Sequence, residues 1–236
     1  MHFKCAYKLN LDYFDDLKKD LVDINARLLS GEEIQGALNY SSHVTGVGGK
    51  HYSGGLFVSH DAFKNCSYHS VDKISNQFNG SLLNVVRIHN LYPGEVYDWH
   101  RDGREGFNGV YGEEWGGSMY RGIPAGISIL LSEYNEDKTE FAFSTQLRRD
   151  NQKFINDNNP KYYIDYEDDY RDELQIVDSM AVPDNYAVLN YLGISHRVVT
   201  KKQKPRVVAI LPFWPTLQFE EVVHFCRSNN ILIERE

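Results

Sequence analysis

The sequence predicts a mainly β fold with flanking helices, a β-sandwich or jelly roll. Three observations support this. Short apolar runs bounded by turn residues fill the chain from residue 82 onward. Aromatic content is 13%, with 16 Tyr and 12 Phe, which suits pleated, half-buried surfaces. Helical spacing is confined to the N-terminal part and the tail, so helices pack outside the sheets. With 236 residues, one domain (1–236) is expected. Hydrophobic content of 42% and charged content of 25% exclude a disordered, collagen-like or coiled-coil chain.

Taken in order, Phe14, Leu17, Leu21, Ile24 and Leu28 recur at helical spacing, and Ser30-Gly31 closes that helix. Residues 40–57 are rich in Gly, Ser and His and read as loop or irregular strand. Residues 1–81 thus form a helical and loop support. Leu82 to Leu91 is a strand ended by Tyr92-Pro93-Gly94. The stretch 103–126 holds eight glycines and reads as a long surface loop. Ile127–Ser132 and Glu140–Ser144 are short strands, and the polar 146–173 is an insertion with some helix. Leu174–Val177, Tyr186–Tyr191, Arg197–Thr200 and Arg206–Phe213 are strands separated by polar turns. Phe219 to Arg227 is an amphipathic helix within a C-terminal 215–236 segment.

Several function classes fall away. The net charge of −8 argues against nucleic acid, because phosphate contacts need a basic face. The longest apolar runs, such as Val207–Leu211, are too short to span a bilayer, so no membrane is expected. The stretch MHFKCAYKLNLDYFDD lacks an apolar h-region and does not read as a signal peptide. Cys5, Cys66 and Cys226 are odd in number and without any CxxC, which points to a reducing, cytoplasmic setting.

Chemistry concentrates at His100 and Asp102. In extended backbone, residues i and i+2 point to the same side, so imidazole and carboxylate can meet one divalent ion. His196, opening a later strand, is the best third ligand. Two His and one carboxylate leave three open octahedral positions, which suits Fe(II) oxygen chemistry, although zinc hydrolases also use such ligands. Arg206 lies across the KKQKP turn on what reads as the neighbouring strand of a hairpin. A guanidinium facing inward beside the apolar VVAILPF needs an anion, and a bidentate carboxylate fits. A dicarboxylate could chelate iron at one end and pair with Arg206 at the other. Each residue alone has a plainer reading: His196 as a core imidazole bonded to a carbonyl, Arg206 as a surface residue paired with an acid. Those readings leave their joint order after His-x-Asp unexplained.

The set His100-x-Asp102, His196 and Arg206 resembles the HxD…H…R signature of Fe(II)/2-oxoglutarate-dependent dioxygenases. Tyr92-Pro-Gly94 ahead of it is similar to the prolyl-hydroxylase-like branch. The resemblance covers residues 82–214 and implies a double-stranded β-helix (jelly roll) core. It implies Fe(II), 2-oxoglutarate and O2 as cofactor and cosubstrates, with ascorbate as a reductant. The implied reaction decarboxylates 2-oxoglutarate to succinate and CO2 and hydroxylates an amino-acid side chain, free or in a peptide. By matching position, Tyr92 would bond the distal carboxylate of 2-oxoglutarate beside Arg206. Between Asp102 and His196 lie 93 residues (103–195), so 103–126 and 146–173 are insertions. Two positions after the arginine, where the family often has Ser, stands Val208, which removes one cosubstrate hydrogen bond. Related halogenases lack the carboxylate that Asp102 provides, which favours hydroxylation.

Other residues carry weaker signals. Tyr97 and Trp99 alternate with the ligand position and read as packing residues if the strand is regular. His43, His60, His69, His89 and His224 lack ligand spacing and read as solvated or local hydrogen bonders. His51 remains a substrate-pocket candidate, as do Trp115 and Arg121 in the 103–126 loop, which could act as a lid. The acidic run Tyr166–Asp169 reads as a solvated face. Two alternatives stand beside hydroxylation: the same cofactors used for desaturation, cyclisation or demethylation, and a non-catalytic, metal-binding cupin-like module.

Overall fold

The computed structural model describes residues 4–40, 55–91, 97–100, 123–134, 136–143, 174–199, 204–214 and 217–234; positions 38–40, 97–100, 143 and 195 are described by backbone alone. These residues form twelve strands and four helices. In order they are β1 (Ala6–Leu9), α1 (Phe14–Leu29), β2 (Ala37–Tyr40), β3 (Gly55–Ser59), α2 (His60–Asn65), α3 (Ser70–Gln77), β4 (Val85–Leu91) and β5 (Tyr97–His100). There follow β6 (Ala125–Leu130), β7 (Lys138–Phe143), β8 (Gln175–Ala181), β9 (Ala187–Tyr191), β10 (Ser195–Val199), β11 (Arg206–Pro212), α4 (Phe219–Ser228) and β12 (Leu232–Ile233).

The strands form two antiparallel sheets. The major sheet has the order β12-β1-β9-β6-β11-β4-β3-β2 and the minor sheet β5-β10-β7-β8. From β4 to β11 the chain crosses between sheets, so β9-β6-β11-β4 faces β5-β10-β7-β8. That winding is a jelly roll, the double-stranded β-helix. Strands β1, β12, β2 and β3 extend the major sheet beyond this core on both sides. Residues 1–81, expected as helix and loop, therefore contribute three sheet strands. Only β3, with Leu56, Phe57 and Val58 buried, shows a compact apolar run; the short β1 and β2 gain their order from long-range pairing. Strand β6 begins at Ala125, so the last two positions of the expected 103–126 loop belong to a fully buried strand.

Alternation along the major-sheet strands creates two apolar clusters, one on each face. One face presents Leu56, Val58, Val86, Ile88, Ile127, Ile129, Leu189, Ala209 and Leu211 to the helices. Leu17, Leu21 and Ile24 of α1, Phe63 of α2, Ile74 of α3 and Val222 of α4 cover it. The opposite face presents Ala6, Leu130, Val188 and Val208, which meet Phe141 and Met180 of the minor sheet. Among the described residues no helix is long and apolar enough to cross a membrane.

Local chemistry agrees with these elements. Helix α1 carries Asp15 and Asp16 in its first turn and Arg27 in its last, complementing the backbone dipole. Gly31, at φ +87°, provides the left-handed residue that ends it. Helix α4 has a reciprocal capping box between Gln218 and Glu221. Asp178 ties the sheets together: its Oδ2 accepts from the backbone N–H of Cys5 at 2.7 Å and of Ala6 at 3.2 Å.

Two outcomes follow for stability. Asp178→Ala leaves the N–H groups of Cys5 and Ala6 without that acceptor and should lower unfolding free energy by about 3 kcal/mol in urea titrations. His60 is 5% exposed, and burial holds its imidazole down at about 4 from an ordinary 6.5. The unfolded chain therefore takes up a proton that the folded chain refuses as pH falls from 6.5 towards 4. Wild type should lose roughly 2–3 kcal/mol relative to His60→Leu between pH 7.5 and 4.5. A stability difference that stays constant across that range would contradict the assignment.

Candidate active site

The register of the minor sheet sets the direction of His196. Strand β10 pairs with β7 from Ser195↔Ala142 to Val199↔Lys138, which places His196 opposite Phe141. Phe141 is fully buried and packs with Val208, Leu130 and Val188 of the facing sheet. Opposed residues of an antiparallel ladder share a face, so His196 lies on the interior wall. Its exposure of 4% agrees, and its ring stands 6.2 Å from that of Phe141. On its other side, position 196 pairs with position 100 of β5. The two histidines chosen from the sequence are thus cross-strand partners. A register irregularity between His196 and Val198 brings Tyr97 opposite Val198. The bulge adds a backbone residue to the β5 side, so this strand is not the regular one on which the expected alternation of Tyr97 to His100 was conditional.

His196 Nδ1 lies 2.9 Å from the carbonyl oxygen of Ile194. A carbonyl only accepts, so Nδ1 carries the proton of this contact. That backbone contact fixes both ring orientation and tautomer, the usual outer support of a metal-binding imidazole.

Arg206 opens β11 in the opposite sheet. It sits two residues before Val208, which packs against Phe141, so regular alternation turns Arg206 to the same interior. It is 7% exposed. Burial pushes the guanidinium down to about 10, against the opposing field of the buried Asp137. No hydrogen bond or ion pair from a described residue engages it. A buried cation in that state could receive an anion. The route differs from the expected hairpin: β10 and β11 lie in different sheets. Arg206 reaches the interior from the facing wall, not from the strand beside His196.

Sequence reasoning passed over other polar residues on this wall. Arg87 pairs with Ile210 and His89 with Val208, so both belong to the inward set of β4. Ser128 pairs with Ile210 on β6, and Asn190 with Gly126 on β9. The signal was present as polar residues at period two inside otherwise apolar strands. His60, by contrast, is buried in the helical layer, away from bulk solvent.

The remaining candidates, Asp102, Tyr92, His51, Trp115 and Arg121, lie outside the described residues, as does most of the 103–126 loop. Among the described residues no group of three or more His, Cys, Asp or Glu converges on a metal site. The backbone register pairs position 196 with position 100, two before Asp102, so the two histidines a two-His, one-carboxylate set would draw on stand at cross-strand positions.

No family model matches this chain, and no curated protein does. Solved structures of similar shape exist. The non-heme alpha ketoglutarate dependent epimerase SnoN from nogalamycin biosynthesis has 11% identity and a TM-score of 0.49, covering 88% of this chain and 77% of its own. The carbocyclase SnoK from the same biosynthesis has 13% identity and a TM-score of 0.46, covering 99% and 90%. A Pseudomonas putida prolyl-4-hydroxylase has 12% identity and a TM-score of 0.42, covering 89% and 91%.

The buried guanidinium has a thermodynamic signature. Arg206→Met removes an ionised group from an apolar interior, so the ligand-free variant should be more stable than wild type by ~1–3 kcal/mol in urea titrations. A destabilised Arg206→Met protein would show that the guanidinium already has a structural counter-charge.

Proposed function

We propose that this chain is a non-haem Fe(II)- and 2-oxoglutarate-dependent oxygenase that hydroxylates an amino-acid side chain, free or in a peptide. One observation carries the reading: a buried Arg206 without an ion pair to any described residue faces the interior that also holds His196. In this reading His100, Asp102 and His196 hold the metal, and Arg206 with Tyr92 receives the distal carboxylate of 2-oxoglutarate. The loaded centre would supply O2 activation coupled to decarboxylation of the keto acid. Asp102 completes the carboxylate ligand and so favours hydroxylation over halogenation.

The chain's own residues have defined tasks. Ile194 O holds the Nδ1–H of His196 and thereby presents Nε2. Phe141, Val208, Leu130 and Val188 form a water-excluding wall around the imidazole and guanidinium. In that low-dielectric setting, charge pairing between Arg206 and a carboxylate is stronger than in water. The apolar residue at 208 leaves more of the anchoring to the guanidinium itself.

Calorimetric titration of 2-oxoglutarate into the anaerobic Mn(II)-loaded protein tests anchoring without a known substrate. Wild type should bind saturably, and Arg206→Ala should weaken binding by about 100-fold. His196→Ala should lose Mn(II) affinity. Under air with Fe(II) and ascorbate, an amino-acid and peptide pool should raise succinate release. Metal binding with no 2-oxoglutarate affinity would instead support a cupin-like binding module.

A further inference from the structure

Asn190 and Ser128 form a buried polar pair on the major-sheet wall that faces His196. Asn190 Nδ2 donates to Ser128 Oγ at 2.7 Å. Asn190 is 2% exposed and Ser128 3%. Both are inward: Ser128 alternates with Leu130 on β6, and Asn190 with Val188 on β9, and those two apolar residues meet Phe141. The surroundings are otherwise apolar. Val188 stands opposite Ser128, and Gly126 stands opposite Asn190. A Cβ at Gly126 would meet Leu192 Cδ1 at 2.6 Å and Ile210 Cγ2 at 2.8 Å, so both side chains close over that glycine beside the pair.

The hydrogen bonding of this pair is half spent. Asn190 Oδ1 is buried with no partner among the described residues. Ser128 Oγ accepts from Asn190, and its own proton meets no acceptor among the described residues. The pair therefore offers one acceptor and one donor side by side. An apolar pair of similar shape would fill the wall without two unmet groups. The geometry points to a ligand-recognition dyad for a neutral carboxamide edge. The ligand N–H would donate to Asn190 Oδ1, and the ligand C=O would accept from Ser128 O–H. With the Asn190–Ser128 bond, these two contacts close a ring of three hydrogen bonds. A carboxylate would supply two acceptors and leave Asn190 Oδ1 facing another acceptor without a proton between them, so the dyad selects an amide over an acid. This deepens the oxygenase reading, on which it rests, by giving the substrate a carboxamide beside the reacting site. Asn190 and Ser128 are then specificity-determining residues.

The test uses asparagine, glutamine and their N-acetylated, amidated forms against the matched acids and methyl esters, titrated calorimetrically into Mn(II)-loaded protein with and without 2-oxoglutarate. Wild type should prefer the amides by about tenfold or more. Asn190→Leu and Ser128→Ala should each collapse that preference to near one while 2-oxoglutarate affinity stays within about threefold of wild type. Ser128→Ala removes a single oxygen and keeps the decision open if Asn190→Leu does not fold. Wild type with no preference among amide, acid and ester, or variants that keep it, would overturn the dyad and leave it a structural pair around internal water. Absence of 2-oxoglutarate binding in wild type would instead sink the oxygenase reading, and the amide preference measured with Mn(II) alone would still decide the dyad.

Discussion

Five consecutive pairs between β10 and β7, from Ser195↔Ala142 to Val199↔Lys138, hold the interior of this protein in place. Side chains alternate across a strand, so a slip of one residue would turn His196 outward and bring Arg197 in. Arg197 instead meets Glu140 across the same ladder at 2.8 Å, on the face that tolerates charge. The burial of Phe141 and the ion pair of Arg197 therefore enforce one register from opposite faces. Position 100 inherits its place from that register, and the metal reading depends on it.

Across the interior, the major sheet supplies a different kind of wall. Its core strands are apolar enough to bury both faces, yet their inward positions include Arg87, His89, Ser128, Asn190 and Arg206. Charge and amide groups at these places do not add to folding stability by themselves. The described imidazole of the minor sheet, His196, thus faces a wall that carries both cationic and amide side chains.

Much of this was legible in the sequence. Strands β6, β9 and β11 were visible as apolar runs between turns, and α1 and α4 as helical spacing. His100, His196 and Arg206 stood out in the sequence because few residue types can serve a metal and a carboxylate, and the structure pairs positions 100 and 196 across neighbouring strands. Strands β1 and β2 were not legible: four residues carry little pattern, and their order comes from partners such as β9, over 170 positions away. Sheet membership was also hidden. Turn chemistry shows that β10 and β11 are consecutive, but it does not distinguish a hairpin from a crossing between sheets. Asn190 and Ser128 were hidden because their meaning depends on which face they occupy.

The place of β11 in the major sheet has a consequence for how the chain comes together. This late strand lies between β4 and β6, and it joins the two halves of the sheet. Until it has been synthesised, β4 and β6 each present an open row of backbone donors and acceptors. A nascent chain must therefore carry two unsealed edges from the completion of β6 until β11 has been made, and closure of this sheet waits for that strand. Association with other nascent chains is most dangerous in that interval, and the helices that cover the outer face can shield only one side of the unfinished sheet.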